Sequence, residues 1–224
     1  MLERLLQALP YQLTSAQRKA LGEIVADLQR ETPMSRLLQG DVGSGKTVVA
    51  LAAMVLTVLD GGQAAILAPT EILAEQHFQG MSRLLTAIGE ALGRSFQIRL
   101  LTGSTPATER TELLEGLANG QVDLLVGTHA IIQSNVELKS LRLAVIDEQH
   151  RFGVEQRTAL REKGFNPHML VMTATPIPRT LTLTIYGDLD TSILNERPPG
   201  RQPIKTRWIS ARDREKSYKH LRKE

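Results

Sequence analysis

Gly40-Asp41-Val42-Gly43-Ser44-Gly45-Lys46-Thr47 brings glycines, a lysine and a hydroxyl together at a spacing that suits phosphate. Gly40 and Gly45 are expected to take backbone angles that other residues resist, so that successive N–H groups turn inward around phosphate oxygens. Lys46 would give the terminal phosphates a point charge, and Thr47 would give magnesium a hydroxyl. The apolar run Val48 to Leu59 predicts a helix whose positive dipole end faces the same oxygens. The bland alternative is a glycine-rich turn that holds nothing. Arg36-Leu37-Leu38 before the loop and a helix former after it favour phosphate.

Farther along, the apolar run Leu143-Ala144-Val145-Ile146 ends in Asp147-Glu148-Gln149-His150. Neighbouring side chains at a strand end point to different sides, so two carboxylates there can divide the work. Asp147 is assigned to the metal, directly or through water, and Glu148 to orienting or deprotonating an attacking water. An acidic turn after a core strand also occurs without any ligand. Following a complete phosphate loop, it points to nucleotide hydrolysis coupled to movement.

These motifs need a frame. Short apolar stretches (Leu37-Leu38, Ala64 to Ala68, Ile98 to Leu101, Leu124 to Val126, Leu143 to Ile146, Met169 to Met172) alternate with helical ones. Their apolar residues occupy consecutive positions, as expected of strands covered on both faces. The alternation predicts right-handed crossovers and a parallel sheet between helix layers, an α/β fold of three layers, αβα. In such sheets ligands gather at the carboxyl ends of strands, and Gly40, Pro69, Gly103, Gly127, Asp147 and Thr173 each follow one. One rim should carry all the chemistry. Ahead of the sheet, Leu2 to Leu9 reads as a short helix stopped by Pro10. Thr14 or Ser15 can cap a second helix, Ala16 to Leu28. The rhythm fails after Tyr186-Gly187-Asp188, and Pro198-Pro199-Gly200 marks a break before a candidate strand, Ile204 to Ile209.

At 224 residues the chain is long enough for one well-buried α/β domain with a small appendage. No apolar run reaches membrane-spanning length, and Met1-Leu2-Glu3-Arg4 does not open a secretory signal, so no membrane partner is expected. The lack of cysteine excludes disulfides and thiolate-ligated metals and suits a cytoplasmic setting. No Asp/His grouping near His129 or His150 has structural-zinc spacing, so a transition metal is not expected. Residues 195–224 hold 10 Lys/Arg against 4 Asp/Glu, while the whole chain has 27 against 24. The body is therefore slightly acidic and the end basic, which suits phosphate tracking or, equally, a solvated helix or linker. Aromatic residues make up only 4%, so any grip on nucleic acid would run through phosphates rather than stacking.

Five stretches together are similar to the first motor lobe of superfamily 2 helicases, with its RecA-like P-loop NTPase fold. They are Leu38 to Thr47, Ala68-Pro69-Thr70-Glu71-Ile72-Leu73-Ala74, Asp147 to Gly153, Thr173-Ala174-Thr175-Pro176-Ile177-Pro178-Arg179-Thr180, and Tyr186 to Asp190. More narrowly the chain resembles the RecG-type helicases, which remodel branched DNA, from about Leu13 to Arg201.

The resemblance implies ATP and Mg2+ as cofactors, the nucleotide held by Gly40, Asp41, Val42, Gly43, Ser44, Gly45, Lys46 and Thr47. Thr47 and Asp147 would ligate the metal. Gln17, within Leu13-Thr14-Ser15-Ala16-Gln17, would read the adenine edge, since an amide both donates and accepts, and Tyr11 would stack on the base. An exposed helix residue is the alternative for Gln17. Pro69-Thr70-Glu71, Thr102-Gly103-Ser104 and Gly127-Thr128-His129 would hold DNA phosphates irrespective of sequence. Ser104 or Thr105 before Pro106 is also a plain helix start. Lys46, Asp147, Glu148 and His150 make up the expected catalytic set. Gln149, Thr173, Ala174, Thr175 and Arg179 would couple hydrolysis to lobe motion.

On the same resemblance, residues 1–194 are an ATP-binding lobe, and residues 195–224 an interlobe linker and the start of a truncated second lobe. The implied partners are branched DNA, a second RecA-like lobe bearing the arginine finger, and a DNA-wedge domain. No arginine here is assigned as that finger, and a piece of this kind is expected to hydrolyse ATP hardly at all alone. Two other readings stay open. One is a transcription-repair coupling translocase, a family that carries Phe and Glu where this chain has Ser44 and Gln149. The other is a nucleotide-dependent nucleic-acid-binding module without catalysis. Asn195 stands where the RecG pattern has an acid.

Overall fold

The computed structural model describes residues 2–147, 160, 163, 166–175, 189–196, 208, 210, 214–215 and 218. Along the chain, α1 (Leu2–Ala8) and α2 (Ser15–Leu28) precede β1 (Ser35–Gly40). Then come α3 (Lys46–Leu59), β2 (Gln63–Leu67), α4 (Glu71–Leu92), β3 (Ile98–Leu101), α5 (Ala107–Asn119) and β4 (Leu124–Gly127). A short 3-10 turn (His129–Ile132) leads to β5 (Leu141–Asp147), β6 (His168–Thr173) and β7 (Asp190–Leu194). The strands form one sheet in the order β3-β4-β2-β5-β6-β1-β7, and all six neighbouring pairs are parallel.

Because side chains alternate across a strand, a consecutive apolar run feeds two cores at once. Ile66, Leu124, Val126, Leu143, Val145, Leu170 and Met172 pack with α1 to α4 on one face. Ala65, Leu67, Leu125, Ala144 and Ile146 pack with α5 and the 3-10 turn on the other. Helices therefore cover both faces, as the apolar pattern requires. α3 is apolar almost all round because it lies in the middle of its layer, against α2, β2 and β5, and ten of its residues are buried. Each fully buried leucine or isoleucine in these cores contributes about 1.5–3 kcal/mol. Among the described residues, no helix is long and apolar enough to cross a membrane.

α2 starts where Thr14 and Gln17 cap each other. The Thr14 hydroxyl accepts from the Gln17 backbone N–H at 3.2 Å, and Gln17 Oε1 accepts from the Thr14 N–H at 2.8 Å. The start of β6 is held to the segment before β1 by a side chain: the Met34 N–H donates to His168 Nδ1 at 2.9 Å.

One strand escapes the apolar pattern. β7, Asp190-Thr191-Ser192-Ile193-Leu194, is an edge strand that buries only Ser192 and Leu194. It pairs with β1 from Arg36↔Asp190 to Gly40↔Leu194. Buried Arg36 fixes it to α2, donating from Nε to Asp27 Oδ2 at 2.7 Å and from Nη1 to Ser192 Oγ at 3.0 Å. The break at 198–200 and the strand expected over 204–209 fall outside the described residues, Trp208 excepted.

Candidate functional site

Register levels the carboxyl ends of the strands. Gly40 pairs with Leu194, Gln39 with Thr173, Met172 with Asp147, Ile146 with Leu67, Leu67 with Gly127, and Gly127 with Leu101. The six expected motif positions thus share one rim. The sheet order divides that rim in two. β5, β6 and β1 carry Asp147, Thr173 and the phosphate loop; β3, β4 and β2 carry the loops expected to meet DNA. Asp147 and Gly40 end strands that flank β6, so their backbones are roughly 10 Å apart across two strand spacings. Thr47, just after that loop, and Asp147 therefore stand on the same half of the rim.

Within the loop, the left-handed angles belong to Gly43 (φ 76°) and Gly45 (φ 86°). Gly40 is not among the positive-φ residues, which corrects its expected role. There the demand is for space: a Cβ would lie 2.5 Å from Ser44 Oγ and 2.9 Å from Leu194 Cβ. At Gly45 a Cβ would overlap Gln17 Nε2. Lys46 Nζ donates to the carbonyls of Gly40 (2.7 Å) and Asp41 (3.1 Å), so the ammonium lies across the mouth of the loop. Asp41 shapes the turn, accepting from the Val42 N–H through Oδ1 and from the Ser44 N–H through its carbonyl.

These features suit a phosphate. No side chain caps α3, whose N-cap is Gly45, so its amino end faces the loop. Ser44 Oγ is buried and has no hydrogen-bond partner among the described residues. Thr47, in the first turn of α3, and Asp147 offer two oxygens, which fits Mg2+, a cation that takes one or two protein groups beside phosphate and water.

A cavity of about 740 Å³ opens beside the loop, lined by Tyr11, Gln17, Gly45, Thr47, His77 and Met81 among others. Gln17 is 4% exposed, so it is no surface helix residue. Its Nε2 donates to the Ser44 carbonyl at 2.8 Å. An amide has four hydrogen-bonding sites, and these bonds use two of them. Tyr11 is half-exposed at the cavity wall, and partial burial pushes its phenol above the usual range, which keeps the ring neutral. Glu196, two residues past β7, reaches the amino end of α2 and accepts from Ser15 Oγ and, at 3.2 Å, from the Ala16 N–H. The Ser15 bond, followed by the Ala16 bond, holds its carboxyl below the usual range.

On the other half of the rim, several expected phosphate contacts have internal duties. The Thr70 hydroxyl caps α4, accepting from the Leu73 N–H at 3.3 Å. Glu71 Oε2 accepts from Ser104 Oγ at 2.9 Å, joining the loop after β2 to the loop after β3. Thr102 Oγ1 lies 2.9 Å from Ser104 Oγ, and Thr105 Oγ1 accepts from the Thr102 N–H, so this turn also leads into α5. Gly127 lets β4 pass β3: a Cβ there would overlap the Leu101 carbonyl. Thr128 is buried, its hydroxyl without a partner among the described residues, while His129 is exposed. Pro69 lies between β2 and the Thr70 cap. Beneath the phosphate loop, the Thr173 and Thr175 hydroxyls are 2.8 Å apart, closing a turn around Ala174. Glu148, Gln149, His150 and Arg179 fall outside the described residues.

Sequence reasoning missed His77, whose Nε2 lies 2.7 Å from Asp147 Oδ2. One signal was present. His77 stands three residues after Ala74 and four before Met81, on the stripe that α4 buries, where a histidine is out of character.

The model of the DEAD/DEAH box helicases matches residues 14–184. The RecG helicase of Streptococcus pneumoniae is 56% identical over 202 residues, covering 90% of this chain and 29% of that protein. The Synechocystis RecG is 51% identical over 224 residues, covering all of this chain and 26% of that protein. A solved structure of RecG bound to a three-way DNA junction superposes with a TM-score of 0.83 at 42% identity, covering 98% of this chain and 29% of that one. The chain thus spans less than a third of the length of the curated relatives it matches. A crystal structure of the helicase MrfA shares the fold at 17% identity and a TM-score of 0.69. Since the family match runs unbroken from the Thr14 cap past the Thr173 turn, taking in both halves of the rim, the chain belongs to the DEAD/DEAH box helicase family.

Proposed function

We propose that the chain is the ATP-binding lobe of a DNA helicase motor of RecG type, which uses hydrolysis to remodel branched DNA. The observation that carries this reading is the shared rim. The phosphate loop and Asp147 stand level across β6, and the loops after β2, β3 and β4 continue the same edge. Similarity to a RecG bound to a three-way junction supports DNA as the partner.

In this reading the base enters the cavity beside Tyr11 and Gln17. Lys46 leaves the carbonyls of Gly40 and Asp41 for the terminal phosphates, and the amino end of α3 adds its dipole. Thr47 and Asp147 hold magnesium, which when bound neutralises charge developing on the phosphates. Glu148 takes the proton of the attacking water on its carboxylate, and His150 and Gln149 relay the change toward Thr173, Ala174, Thr175 and Arg179. Pro69 to Glu71, Thr102 to Ser104 and Gly127 to His129 contact the DNA backbone. A second RecA-like lobe supplies the arginine finger, and a wedge domain meets the junction. Loss of such a finger lowers turnover by about 10³–10⁵ in related hydrolases.

The test is nucleotide binding by the 224-residue chain, read with a fluorescent ATP analogue in Mg2+. The parent should bind, Lys46→Ala should not, and Asp147→Asn should bind without a response to Mg2+. Equal binding by all three would overturn the assignment. DNA binding should weaken steeply with salt and be indifferent to sequence.

A further inference from the structure

We propose that His77 is a positioning residue for Asp147: it occupies one carboxylate oxygen, leaves the other to the metal, and ties that carboxylate to α4. This rests on the nucleotide reading of the site. A carboxylate only accepts, so the 2.7 Å contact is a bond from His77 Nε2–H to Asp147 Oδ2. Both side chains are largely buried, at 12% and 13% exposure, so water competes little for either. A carboxylate held at one oxygen cannot rotate freely, and its second oxygen keeps one direction.

Packing does not call for histidine at this position. Ala74, Met81, Leu85 and Ile88 line the buried face of α4, and a leucine at 77 would continue it. His77 also lines the cavity together with Gly45 and Thr47. Such partners behind a metal ligand commonly change metal affinity by about 10–100-fold.

α4 gives the contact a longer reach. His77 is six positions after Glu71, roughly 9 Å along the helix axis. Glu71 is bonded to Ser104 on the DNA-facing half of the rim. One rigid helix therefore has its first turn among the loops for DNA and its second turn on the carboxylate for magnesium.

The test titrates Mg2+ against a non-hydrolysable ATP analogue in four proteins: parent, His77→Leu, His77→Gln and Asp147→Asn. Nucleotide affinity is also measured without Mg2+. His77→Leu should need about 10-fold more Mg2+ for half-maximal effect. Its metal-free nucleotide affinity should be unchanged. His77→Gln keeps an N–H donor at similar reach and should recover most of the loss. The proposal is overturned if His77→Leu needs no more Mg2+ than the parent. It is equally overturned if that variant loses affinity to the same extent with and without the metal, or if Gln fails to rescue. A parent whose nucleotide binding ignores Mg2+ would instead sink the reading of the site itself.

Discussion

Gln17 Nε2 donates to the carbonyl oxygen of Ser44 at 2.8 Å, so one buried side chain joins the first turn of α2 to the phosphate loop. Its Oε1 meanwhile completes the cap of the same helix. Any substitution there is felt at two places.

Gln17→Ala should destabilise the chain by about 1–3 kcal/mol, because it opens the capping box and strands a buried carbonyl. Nucleotide affinity should fall with it. Gln17→Glu keeps the acceptor for the Thr14 N–H and loses the donor to Ser44, so it should spare the cap and still weaken the nucleotide. Thermal melts and analogue binding separate the two effects. An alanine variant that melts with the parent would refute the dual role.

Gly45 and Gly61 take nearly the same left-handed angle, φ 86° and 84°, in different surroundings. A Cβ at Gly61 meets nothing within 4 Å, whereas at Gly45 it overlaps Gln17. Alanine at position 61 should cost about 1 kcal/mol of backbone strain. Alanine at position 45 should cost clearly more in a urea titration and abolish nucleotide binding. Equal losses of stability would show that the crowding at Gly45 is not felt.

Arg36→Leu removes the cation that Asp27, with only 5% of its side chain exposed, faces at 2.7 Å. Leaving that carboxylate with only the mostly exposed Arg30, at 3.3 Å, should cost up to about 3 kcal/mol. The double variant Arg36→Leu with Asp27→Leu should lose less than the sum of the two single changes. Urea unfolding of the four proteins gives the coupling, and strict additivity would argue against it.

Acid should loosen the start of β6. Burial holds His168 below the ordinary histidine range, nearby Asp27 pulling it up and Arg142 pushing it down. Its Nδ1 accepts the Met34 N–H only while that nitrogen carries no proton. The neutral ring is thus the native form. Its contribution is complete above the unfolded value of about 6.5 and drains away as pH falls through the lower folded value. His168→Asn, which keeps an acceptor and cannot titrate, should flatten that part of the stability–pH curve. An unchanged curve would remove His168 from the account.

The interior strands were legible because both faces of the sheet are covered. Ala64 to Ala68, Leu143 to Ile146 and Met169 to Met172 carry apolar residues at every step. β7 hid because its central inward residue is Ser192, satisfied by Arg36 from the neighbouring strand. A polar residue paired across the sheet looks like loop in one dimension. Spacing located the phosphate loop but could not say why Gly40 is glycine; a positive φ and a close approach leave the same letter. The His77–Asp147 pair was beyond reach, since 70 positions separate the two and only the docking of α4 near β5 joins them.

Glu196, just past the edge strand β7, clasps Ser15 and Ala16, the two residues that precede Gln17 in the first turn of α2. Tension on the chain beyond Glu196 would reach that clasp before it reached any core residue. The amino turn of α2 would then act as a strain gauge: pulled, it would slacken the cavity wall that Gln17 lines; left at rest, it would keep that wall closed. Hydrogen exchange at Ala16, compared between the parent and Glu196→Gln, would register the difference.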